Sequence, residues 1–164
     1  MVVNMKVTVV KKATPAAIAV LRQATALFPK RNKASDGLLP SAAHIKQSPN
    51  SDHNTGLAVD LTHDPNNGID CADIFERLKE DRRVNYLIFS GKIWSRERRA
   101  EGNRKYSGSN PHNKHLHISI NPNFANDVSS WFGWIDKKAS IAGQAKAITS
   151  RKPKKKDTPS PKEG

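Results

Sequence analysis

The sequence predicts an α+β domain, a small antiparallel β-sheet flanked by helices. Three observations lead there. Short apolar runs at 57–61, 84–90 and 115–120 have the length and spacing of strands. Segments 14–28 and 70–81 carry apolar residues three and four apart, as amphipathic helices do. Strands and helices do not alternate regularly, which disfavours a parallel βαβ sheet.

Taken in order, residues 5–10 ("MKVTVV") are β-branched and short enough for an edge strand. "TPAAIAVLRQATALF" reads as a helix that Thr14 caps, with Pro15 in the first turn and Pro29 as the stop. Its apolar stripe is Ala17, Val20, Leu21, Ala24 and Phe28. Residues 30–52 are rich in Ser, Asn, Pro and Gly and read as loop, with one short helical turn at 41–47. In the strand 57–61, Leu57, Val59 and Leu61 share one face, leaving Ala58 and Asp60 on the other. Asp70 is placed to cap the helix 70–81. After the strand 84–90, "SGK" allows a tight turn into a strand at 93–95. A long polar loop follows, then the strand "HLHISI". Residues 125–135 suggest a short helix whose Trp131, Phe132 and Trp134 lid the core.

A chain of 164 residues suits one domain and a tail. Of the formal net charge of +13, seven charges fall after Asp136, where nine Lys or Arg face two acids. We expect a domain over 1–137 and a basic, Lys/Pro-rich disordered tail over 138–164. Such a tail attracts anionic wall polymers or a membrane surface; nucleic acid is a less favoured partner. One cysteine excludes a disulfide framework and a Cys-rich zinc site, and Cys71 sits at helical spacing from Ile74, Phe75 and Leu78, as a core thiol would. No run approaches the ~20 apolar residues of a membrane span. The N-terminus lacks the pattern of a signal peptide, so synthesis in the cytoplasm without an export signal is expected.

The chemistry concentrates in two stretches, "SDHNTGLAVDLTHD" (51–64) and "NPHNKHLHISI" (111–121). Period-two alternation puts His115 and His117 on one strand face. His53 stands at the entrance to the strand 57–61, and Gly56 permits a turn that a Cβ would hinder. If the two strands are neighbours, three ligands, Asp60 among them, and one spare histidine converge. A catalytic zinc site needs three protein ligands and an open position, where water is acidified toward a pKa of ~7 beside a basic group.

The run from Ser51 to Asp60 resembles the S-x-H-x-x-G-x-A-x-D motif of the zinc D-alanyl-D-alanine carboxypeptidase family, which includes phage endolysin peptidases and shares its fold with the hedgehog signalling domain. His115-Leu116-His117 is similar to that family's closing H-x-H. The resemblance spans roughly residues 35–120. It implies a hedgehog/D,D-peptidase-like fold, zinc on His53, Asp60 and His117, and His115 as the catalytic base. With Lys114 three positions before His117, the alternative catalytic Glu is absent. No counterpart of the substrate-binding Arg-Ser-x-x-x-Gln segment is visible. Ser51, Arg98 and His112 are therefore the candidate substrate contacts, an arginine being suited to a carboxylate. His63, His44 and His112 read more as structural or supporting groups than as ligands.

The expected activity is hydrolysis of a peptide bond in peptidoglycan stem peptides, on the cell wall, after release or from within a virion. Two other classes compete. A catalytically silent zinc module or virion protein could bind wall or nucleic acid through the tail, though the intact His115 argues against it. A His-Asn-His metal nuclease would need its histidines in one compact unit, whereas the clusters here lie about 60 positions apart.

Overall fold

A computed structural model describes residues 9–136. The basic tail expected at 138–164 lies outside these residues, as does most of the edge strand expected at 5–10. Val9 and Val10 are not in a strand, although the Val10 N–H donates to Asn54 O at 2.9 Å.

Five strands form one antiparallel sheet: β1 (Ala58–Thr62), β2 (Val84–Phe89), β3 (Lys92–Ser95), β4 (Arg104–Lys105) and β5 (His115–Ile120). The spatial order is β1-β5-β2-β3-β4, so the last strand inserts between the first two. Among the described residues three α-helices accompany it: α1 (Pro15–Leu27), α2 (Ala42–Gln47) and α3 (Cys71–Leu78). The fold class is thus α+β with a small antiparallel sheet.

Local chemistry explains the helix ends. The Thr14 side chain accepts from Ala17 N–H, Ser41 from His44 N–H, and Asp70 from the N–H groups of Ala72 and Asp73. The face of α1 toward the sheet is mostly alanine, which lets the helix approach β1 closely. On α3, Cys71, Ile74, Phe75 and Leu78 form the buried stripe against β2 and β5. With Val59, Leu61, Leu87, Leu116 and Ile118 these residues make the core. Each such side chain contributes about 1.5–3 kcal/mol on burial. Burial pushes the Cys71 thiol up to about 12, so it stays protonated, consistent with a core thiol.

The core occupies one face of the sheet, and the other face is left for chemistry. A bulge at Asn85 decides one member of that second face. Val84 pairs with Ile120 and Tyr86 with Ser119, so one extra residue is inserted in β2. Val84 thereby points to the core, while Tyr86 joins the face of His117 and Ser119.

The helix expected at 125–135 does not form; a 3₁₀ turn at Pro122–Phe124 precedes turns and irregular backbone. Side chains capture the carbonyls that a helix would have used. Gln23 Nε2 donates to Val128 O and Ser129 O at 3.0 and 3.2 Å, and Arg83 donates to Ser129 O and Ser130 O at 3.0 and 2.8 Å. The Arg83 guanidinium also lies 3.7 Å over the Trp131 ring. Trp131 and Phe132 are buried as expected of a lid, and Trp134 packs on the core edge.

Candidate metal centre

The site is assembled from three neighbouring pieces of backbone. The first is the 3₁₀ turn Asp52–Thr55, capped by Ser51, whose Oγ accepts from His53 N–H at 3.3 Å. Gly56 ends this turn at φ 73°, and a Cβ there would meet Lys12 O at 2.9 Å. Asn54 anchors the turn by donating to Ser48 O and Pro49 O, and Ser119 of β5 donates to the Asp52 carboxylate. The second and third pieces are β1 and β5, where Asp60 pairs with His117 and Thr62 with His115.

These pieces bring His53, Asp60 and His117 together, with potential ligand atoms all within 4.8 Å of one another. Asp60 Oδ2 lies 3.2 Å from His53 Nε2, and Asp60 Oδ1 lies 3.1 Å from His117 Nδ1. His53 Nδ1 donates to Leu38 O at 2.9 Å, which fixes the ring and turns Nε2 toward the carboxylate. A neutral His53 therefore sets one lone pair against another at Asp60. A second proton on His53 or a metal ion between the two groups would relieve that opposition. His117 Nε2 is buried and has no hydrogen-bond partner. Two imidazoles and a carboxylate fit a borderline divalent ion well, so this group could hold a metal.

The electrostatics follow from the same contacts. Burial pushes the Asp60 carboxyl up, but hydrogen bonds from His117 and His53 outweigh it and hold Asp60 well below the usual carboxylate range. Burial lowers His53, yet Asp60 and the Leu38 carbonyl raise it above the ordinary histidine value. His115 stands beside the group, with Nε2 3.7 Å from Asp60 Oδ2, beyond hydrogen-bond distance. Burial holds it below the ordinary histidine value, with His117 and His53 adding to the shift and Asp60 opposing it. His112 packs edge-on against His115 and His117, with centroids 4.9 and 5.6 Å away. Burial and these neighbours push it down to about 4. Its backbone is in the left-handed region at φ 60°, held by Asn110, whose Oδ1 accepts from His112 N–H.

The group faces a cleft of about 470 Å³. Residues 9–117 match the family described as VldE, C-terminal domain. The chain belongs to that family. No curated protein and no solved structure matches it. The span of this VldE C-terminal domain match ends on His117, so it takes in His53, Asp60 and His115 and leaves Ser119 and Trp131 outside.

The residues expected from sequence fare differently. Ser51 and His112 line the cleft, Ser51 with its Oγ 3.0 Å from His44 Nε2. Arg98 does not line it: its guanidinium pairs with Glu101 on the exposed turn Arg99–Glu101. Arg96 is likewise occupied, donating to Val84 O and Asp81 O at 2.8 and 2.7 Å. His63 accepts from Cys71 N–H at 3.1 Å, a structural bond at the start of α3. Sequence reasoning missed Tyr86, whose ring stacks on His117 at 5.4 Å and 20°. Only the bulge at Asn85 puts it there, and nothing in "VNYLIF" signals that bulge.

Proposed function

We propose that the chain is a zinc metallopeptidase hydrolysing a peptide bond in bacterial peptidoglycan, on a hedgehog/D,D-peptidase-like fold. The observation that carries this reading is the trio His53, Asp60 and His117 at the floor of an open cleft, with His115 adjacent but apart. His53, Asp60 and His117 would hold the zinc. When bound, zinc supplies Lewis acidity, acidifying water and stabilising negative charge on the scissile carbonyl oxygen.

His115 has the location and lowered basicity of a group that is neutral near pH 7 and able to take a proton. It removes a proton from the attacking water as the new C–O bond forms, and returns it to the amide nitrogen as the C–N bond breaks. Tyr86 stacks behind His117 and keeps its ring from tilting. Ser51, His112 and Tyr106 line the cleft where stem peptide would lie. The basic tail would hold the enzyme to anionic wall polymers or a membrane surface, whether released from the cell or carried in a virion.

The test is purified protein with zinc, assayed on cell-wall sacculi and on DNA, before and after chelation. New amino termini from sacculi, lost with chelator and restored by zinc, are expected. DNA cleavage with intact sacculi would replace this reading with a nuclease.

A further inference from the structure

The metal group has open space on two sides. The 470 Å³ cleft lies over the β5 and β2 side. A second hollow of about 200 Å³ is lined by Gly37, Leu39 and Pro40. Both share His44, His53 and Asp60 as wall. Their linings divide along the two edges of β1, His117 belonging to the large cleft alone and Gly37 to the small hollow alone. His117 of β5 pairs with Asp60 on one side, and Gly37 bridges it on the other, with Gly37 N–H donating to Asp60 O at 3.1 Å. Helix α2 runs along the gap, its cap Ser41 at the small hollow, Gln47 at the large cleft and His44 touching both. Six residues of helix span about 9 Å, the length of about three residues of extended peptide.

Resting on the peptidase reading above, we propose that the two hollows form one groove with the metal group at its middle, so that the enzyme is an endopeptidase whose substrate chain continues on both sides of the bond cut. Charge points the same way. Among the described residues no Lys or Arg lines either hollow. A chain terminus held there would bring a carboxylate with no fixed cation to receive it, at a desolvation cost that internal peptide units avoid.

The zinc-loaded full chain is given stem peptides with a free C-terminal carboxylate, the same peptides as C-terminal amides, and cross-linked dimers, with products read by mass spectrometry. We expect cleavage at an internal bond, with amidation changing kcat/KM by less than about tenfold. A site built around a terminal carboxylate would instead lose about 10²-fold or more on amidation. Release of the terminal residue alone, with that loss, overturns the inference and leaves the peptidase reading standing. No cleavage of any peptide by a chain holding its zinc overturns both. As a second arm, Leu39→Trp fills the small hollow and should lower kcat/KM on extended substrates by about tenfold or more with zinc content unchanged. An unchanged kcat/KM would remove that hollow from the substrate path.

Discussion

Asp60 and His117 stand directly opposite each other in the β1–β5 ladder, with His117 Nδ1 3.1 Å from Asp60 Oδ1. The contact is set by strand register, which also holds His115 two pairs further along, opposite Thr62 and on the same face. A one-residue slip would turn both histidines to the core face.

His53→Ala, Asp60→Ala and His117→Ala should each reduce bound metal from about one ion per chain to near zero, since a structural or catalytic site needs at least three protein ligands. Elemental analysis after gel filtration measures it. Full zinc in any of the three would remove that residue from the ligand set.

His115→Ala should keep its zinc and its fold and lose about 10²–10⁴ in turnover, the usual worth of a positioned base. Its 3.7 Å separation from Asp60 Oδ2 sets it apart from the trio. Parallel zinc analysis and steady-state kinetics decide the matter, because an emptied site would make His115 a ligand.

His112 gives the metal-free chain a pH dependence. Its pKa is about 4 in the fold and 6.5 in the open chain, so protons bind the unfolded state better between those values. Its contribution to stability is complete above 6.5 and is lost as pH falls toward 4. In chelator, urea midpoints at pH 7 and pH 4.5 should fall less for His112→Gln than for the native chain. Equal falls would show that His112 is solvated in the apo state.

Arg83→Ala should destabilise the fold by about 3–5 kcal/mol, the usual cost of removing one partner of a buried ion pair. Arg83, 5% exposed, pairs with the partly exposed Asp81 at 2.7 Å and holds the carbonyls of Ser129 and Ser130. Chemical denaturation measures the change, and a loss below about 1 kcal/mol would show that Trp131 alone closes the core.

Much of the local structure was legible in the chain. Thr14-Pro15 marks the start of α1 and Asp70 that of α3, because capping depends on residues within one turn. "HLHISI" declares its two faces by alternation, so the pairing of His115 with His117 needed no tertiary information. Residues 125–135 misled because their aromatic spacing resembles a helix, while the groups that unwind it, Gln23 and Arg83, are about 50 to 100 positions away in sequence. Arg98 is a different case: its partner Glu101 is only three residues on, yet composition cannot tell a paired guanidinium from a free one.

By itself the sequence determined the α+β class, the apolar stripes, the caps and the two histidine-bearing stretches, since these rest on periodicity and on contacts within a few residues. Tertiary structure alone decided that β5 inserts between β1 and β2, that a bulge brings Tyr86 against His117, and that Gly37 borders Asp60 on its far side. Those outcomes depend on which strand edges meet and in what register. Backbone hydrogen bonds between strands are alike whatever the side chains, so only packing of the whole core selects among the possible pairings.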